Sequence, residues 1–173
     1  MTTIDERDLR LTFDQQWTII KWDDSEFRKR RGHAGKAADV VGIRDTATGR
    51  DLFVIEIKDY PDHPLATVPK PADLAVSCAE KARDTLAQLV NSPPIVGRPD
   101  EPEVDALCRA FGATEHPLNV LIWVEDANEP PLLMTEFQAE LSRAFRWLPT
   151  RAVSAATAED LNELDGVAAR RLT

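Results

Sequence analysis

Tyrosine occurs once in this chain of 173 residues, methionine and cysteine twice each, and histidine three times. No CxxC pair is present and no histidine sits at ligand spacing, which excludes a zinc site built from neighbouring ligands. Cys78 and Cys108 lie in apolar, helix-like stretches and read as reduced packing residues, not as a disulfide. No run approaches the roughly 18 apolar residues of a membrane helix. The first residues, Met1 to Asp8, hold no apolar signal region. The expectation is a cytoplasmic protein with no membrane partner. G-x-G-x-x-G, Walker-type and G-x-S-x-G motifs are missing. An excess of positive charge is missing too: the net charge is -9. That argues against a non-specific polyanion binder, although a local basic patch stays open.

What is present suits one compact domain over 1–173, with 43% hydrophobic residues to build a core. Residues 16–22 are rich in β-branched and aromatic side chains and predict a strand. Residues 23–36 are polar and predict an irregular or briefly helical loop. Two further strands are expected at 38–44 and 52–59, joined by a hairpin turn over Asp45–Asp51. Prolines 61, 64, 69 and 71 break the chain. Leu74, Cys78, Ala82, Leu86 and Leu89 then recur at helical spacing over 72–89. A proline-rich loop (92–102), a short helix (103–111), a doubly buried strand (118–124) and an amphipathic helix (132–147) follow. A last edge strand at 150–155 and a helix capped by Thr157 end the pattern. The expected fold class is α/β, with a core over about 16–125 and a helix–strand–helix extension over about 131–165. The four tryptophans read as core or interface aromatics. His63 and His116 read as surface residues.

Three charges break the apolar strands. Side chains alternate across a strand, so Phe53, Ile55 and Ile57 share one face while Val54, Glu56 and Lys58 share the other. In an antiparallel hairpin, Asp39 at the head of one strand neighbours Glu56 and Lys58 at the end of the next. Two carboxylates and the Ile57 carbonyl suit Mg²⁺ or Mn²⁺. Lys58 is then placed to orient a water or stabilise a phosphoryl transition state. The bland alternative is a surface hairpin with a Glu-x-Lys ion pair. Arg28, Lys29, Arg30, Arg31 and Lys36, with His33, form the concentrated basic stretch, readable as a phosphate grip or as a solvated loop.

With Ala-Ala-Asp at Asp39 and Ile-Glu-Ile-Lys-Asp around Glu56 and Lys58, the chain resembles the PD-(D/E)xK nuclease superfamily and is similar to uncharacterised bacterial members. Ala38 stands where the nominal motif has proline. The resemblance implies a restriction-endonuclease-like α/β/α sandwich with a central mixed sheet. It implies Asp39 and Glu56 as metal ligands and Lys58 as the catalytic lysine, with Glu26 standing in for a helical glutamate. It also places the helix after the third strand beside the site, so that Lys81, Asp84 and Gln88 contact substrate or support the site. The alternative there is a solvated face with a Lys81–Asp84 pair. Tyr60 is a candidate stacking residue. The expected activity is a Mg²⁺-dependent endo- or exonuclease acting on DNA in repair or defence, with a homodimer or larger complex among the partners. The rival expectations are a catalytically inactive nuclease-fold binding or assembly subunit, and an unrelated α/β domain.

Overall fold

The computed structural model describes residues 1–30, 32, 35–60, 69–91, 102–113, 115–126, 131–148 and 152–172. Arg31, His33 and His63 lie outside the described residues, as do the proline-rich stretches 61–68 and 92–101. The chain opens with a hairpin, β1 (Thr2–Glu6) and β2 (Leu9–Phe13), followed by β3 (Trp17–Lys21) and a short helix α1 (Glu26–Arg30). Next come β4 (Val40–Thr46), β5 (Gly49–Tyr60), α2 (Pro71–Val90), α3 (Pro102–Gly112) and β6 (Leu118–Asp126). The chain ends with α4 (Pro131–Ala144), β7 (Ala152–Ala156), α5 (Ala158–Asn162) and β8 (Val167–Arg171).

The central sheet is mixed, with strand order β3-β4-β5-β6-β7. β3, β4 and β5 form an antiparallel meander, while β6 and β7 each join in parallel. Parallel neighbours need a crossover. The segment containing α2 and α3 supplies the first and the one containing α4 the second. The β4–β5 ladder runs from Val40↔Ile55 to Thr46↔Gly49. The turn is therefore tighter than the expected 45–51. Gly42 lies within this ladder, where a Cβ would sit 2.3 Å from Ile19 Cδ1 on β3 and the end of that side chain would have to move.

Alternation along the sheet divides the core. Val41, Ile43, Leu52, Val54, Val120, Ile122 and Val124 pack under the helices, against residues such as Leu74, Cys78, Leu89, Leu107 and Leu141. Trp17, Ile19, Val40, Phe53, Ile55, Ile57, Leu121 and Trp123 face the other way. Burying one such side chain contributes about 2 kcal/mol, so each face alone outweighs many surface contacts. Helices cover the first face. The second is covered differently from the expected α/β/α sandwich: a three-stranded antiparallel sheet in the order β1-β2-β8, together with α5, lies there. Leu9, Leu11 and Phe13 alternate on β2 and point into this layer, with Ile4, Ala169 and Leu161.

Local chemistry fixes the covering layer. Thr157 caps α5 through a capping box with Asp160, which satisfies amides that the helix leaves open. Glu125 on β6 accepts from Ala158 N and Trp123 Nε1. Asp59, at the end of β5, joins the two sheets. Its carboxylate pairs with Arg171 on β8 at 2.8 Å, and its carbonyl accepts from Arg7 at 3.3 Å. Arg7 occupies the β1–β2 turn at φ 52°, a left-handed conformation that costs a non-glycine residue about 1 kcal/mol. Three tryptophans are buried, but Trp147 is exposed and stacks on Phe145. Both cysteines are buried and neither forms a disulfide.

Candidate active site

Continuing the β4–β5 register one step beyond Val40↔Ile55 sets Asp39 opposite Glu56. The ladder has ended there, so the N–H of Ile57 is available, and Asp39 Oδ2 accepts it at 2.6 Å. That bond fixes the carboxylate at the strand end. Glu56 and Lys58 share the helix-facing side of β5 with Val54, as their parity requires. Glu56 is 1% exposed. Its Oε1 lies 2.5 Å from Lys58 Nζ and 2.6 Å from Lys81 Nζ on α2. Lys81 Nζ is also 3.6 Å from Asp39 Oδ1. One ammonium therefore reaches both acids. Glu56 Oε2 is buried with no hydrogen-bond partner.

α2 holds this end of the chain in place at three levels. Lys81 reaches the acids, Thr85 Oγ1 accepts from Ala38 N at 2.8 Å, and Gln88 accepts from Trp22 Nε1 at 3.1 Å. Gln88 also accepts from Arg28 and donates to the carbonyl of Lys36. Trp22 N donates to the carbonyl of Asp39 at 2.7 Å, which brings the next residue, Asp23, to the same cleft. Of Lys81, Asp84 and Gln88, Lys81 reaches the acids, while Asp84 and Gln88 bond the Lys36 backbone that leads to Asp39. The Lys81–Asp84 pair does not form: Lys81 turns to Glu56, and Asp84 pairs with Arg83 and accepts from Lys36 N.

The cleft has a volume of about 350 Å³. Asp39, Ile57, Lys58, Tyr60 and Lys81 line it, as does Asp23. Glu6, Arg7 and Asp59 complete the wall. These last three and Asp23 are absent from the sequence-based site. Asp23 looks like an ordinary loop acid, and Glu6 and Arg7 lie at the turn of a hairpin whose strand signal falls on β2. The alternation of Leu9, Leu11 and Phe13 was the signal that could have found β2.

Burial sets the electrostatics. It raises the Glu56 carboxyl above its usual range, Asp39 adds to that, and Lys58 and Lys81 oppose it. Burial works against charge on Lys58, but Glu56 outweighs it and the ammonium is raised. Asp23 is raised by burial and then by Asp39, and its Oδ1 is buried without a partner. The nearby Cys78 thiol is pushed up to about 12 by burial and by Glu56, which makes it inert as a nucleophile.

The remaining expected residues lie elsewhere. Glu26 is exposed on α1, pairs with Lys29 and does not line the cleft. Arg28 donates to the carbonyls of Asp23 and Gly35 as well as to Gln88, so it braces the backbone that carries Asp39. Gly35 suits that role: at φ 109° its carbonyl meets Arg28 where a Cβ would crowd Asp84. Lys29 pairs with Asp24 and Glu26, and Lys36 with Glu80. Arg30 is exposed at the end of α1. Among the described residues, no three Asp, Glu, His or Cys side chains are gathered as a ready metal set. The Lys81 ammonium sits between the two acids instead.

This is a mixed α/β protein whose central sheet ends in a buried acid–lysine cluster. Compared with protein-family models, with curated proteins and with solved structures, the chain finds no match.

Proposed function

We propose that the protein is a Mg²⁺- or Mn²⁺-dependent nuclease of the PD-(D/E)xK type with a restriction-endonuclease-like core, hydrolysing phosphodiester bonds of DNA in a repair or defence setting. One observation carries the reading: Asp39, Glu56, Lys58 and Lys81 converge at one strand end beside an open cleft. The orphan oxygens Glu56 Oε2 and Asp23 Oδ1 fit a hard cation, since buried carboxylate oxygens without partners are otherwise costly. Asp39, Glu56 and the Ile57 carbonyl would hold it, with Asp23 as a further acid. Bound there, it would lower the pKa of a water and neutralise phosphate charge.

The chain's own groups do the rest. Asp39 is oriented by the Ile57 N–H. Lys58, held by Glu56 and facing the cleft, orients the attacking water and stabilises charge developing on the phosphate. Lys81 neutralises the acids in the resting state and would be released toward the phosphate if they held a cation. Two copies of the chain would cut both strands of a duplex, so a homodimer fits this activity.

A second reading is a non-catalytic binding or assembly subunit that keeps the fold. The observation favouring it is that both site lysines are already engaged by Glu56 in a chain of net charge -9. Incubating plasmid and single-stranded DNA with the protein in Mg²⁺ or Mn²⁺ separates the two. The nuclease reading expects cleavage that EDTA stops and Glu56→Ala abolishes. Intact DNA with the wild type, or equal cleavage by Glu56→Ala, would leave the binding subunit.

A further inference from the structure

We propose that the β1–β2 hairpin carries a substrate-binding residue, Arg7, which holds a phosphate of the nucleic-acid strand next to the bond that Lys58 faces. The inference rests on the nuclease reading and adds a contact from outside the mixed sheet. The cleft wall has three cations, Arg7, Lys58 and Lys81. Lys58 and Lys81 are both bound to Glu56. The acids at the mouth are engaged in turn: Glu6 by Lys21 at 2.7 Å and Asp59 by Arg171 at 2.8 Å. Among the described residues, Arg7 is the cleft-lining cation that makes no ion pair. Its one hydrogen bond runs from Nη1 to the Asp59 carbonyl, at 3.3 Å. That contact aims the guanidinium at the end of β5, one residue past Lys58, and leaves most of its donors open. An exposed guanidinium with open donors suits a phosphate oxygen, which accepts two of them at once.

Backbone conformation points the same way. Arg7 sits at φ 52° in a turn where glycine would rest without strain. The side chain stands at a position its backbone disfavours, and the residue is exposed. Asp59 holds one end of the small sheet, through Arg7 in the β1–β2 turn and through Arg171 on β8, which pairs with Leu9. The hairpin tip is thus fixed relative to Lys58 and is placed to set the register of a strand entering the cleft. A phosphate held there supplies binding in an acidic protein whose Arg28 is turned inward and whose Lys29 and Lys36 are paired.

The test is binding of a short fluorescein-labelled DNA duplex, and of its single strand, in EDTA, where metal-dependent cutting does not occur. Arg7→Gly suits the left-handed backbone, so it is expected to keep or raise the melting temperature while weakening binding about tenfold. The slope of log affinity against log salt should fall by about one. Arg7→Lys keeps the charge and should retain most of the affinity. Unchanged affinity and slope in Arg7→Gly would overturn the assignment while leaving the nuclease reading intact, provided the wild type still cuts DNA in Mg²⁺ or Mn²⁺. Wild-type protein that neither binds nor cuts DNA would overturn both. Equal losses in Arg7→Gly and Arg7→Lys, with lowered melting temperatures, would mark Arg7 as a structural residue and also end the proposal.

Discussion

The segments 28–36 and 56–59 look alike as strings of charge and behave as opposites in the fold. In the first, each described cation meets a partner at or near the surface: Lys29 with Asp24 and Glu26, Lys36 with Glu80, Arg28 with backbone carbonyls. In the second, Glu56 is 1% exposed and is held by two ammonium groups within 2.6 Å. Exposed pairs are screened and contribute little. Buried charges lose hydration and stay charged only while every partner remains. Charge in a sequence therefore acquires meaning from the partners that folding assigns to it.

Loss of a lysine should cost far more at the buried cluster than in the basic segment. Lys81→Met removes the ammonium that spans Asp39 and Glu56. It should lower stability in urea unfolding at neutral pH by about 3 kcal/mol, because an uncompensated buried acid remains. A loss below about 1 kcal/mol would mean the cluster is hydrated and the contrast is false.

Next in size is the pH response. Glu56 is raised by burial and by Asp39, so the folded state binds its proton more readily than the unfolded chain does. Lowering pH through the raised folded value, toward the model-compound value of 4.5, should therefore stabilise the wild type. The gain is complete below that unfolded value. Glu56→Gln cannot titrate there, so the wild type should gain melting temperature relative to it as pH falls. A wild type that loses ground to Glu56→Gln over that range would show that the lysines, not burial, govern the acid.

How much of this was legible follows from whether the signal was local. The hairpin of β4 and β5 was readable because strand parity puts Glu56 and Lys58 on one face, and α2 was readable because Leu74, Cys78, Ala82 and Leu89 keep helical spacing. The three-stranded covering sheet was not. β2 pairs with β8, so Leu9 meets Arg171 across nearly the whole chain, and no local window records that partner. Asp23 was hidden for a similar reason: a backbone bond from Trp22 to Asp39 places it. For Lys81 the sequence offered a place beside the site or a pair with Asp84, and helix spacing alone favoured Asp84. Burial of Glu56 decided for the other.

The smallest expected effects lie in the basic segment. Lys29→Ala and Lys36→Ala should each change stability by less than about 0.5 kcal/mol in the same urea titration, because the side chains of both pairs are 40–69% exposed. A larger loss would make the surface network a structural element and narrow the contrast with the cluster.

The most direct measurement compares Lys58→Ala with Lys29→Ala in one DNA-cleavage assay containing Mg²⁺ or Mn²⁺. Loss of a group that stabilises transition-state charge should slow cutting by Lys58→Ala at least 100-fold, while Lys29→Ala stays within about twofold of the wild type, as removal of an exposed pair allows. Equal rates for the two variants, with the wild type active, would contradict the assignment of the chemistry to the buried cluster.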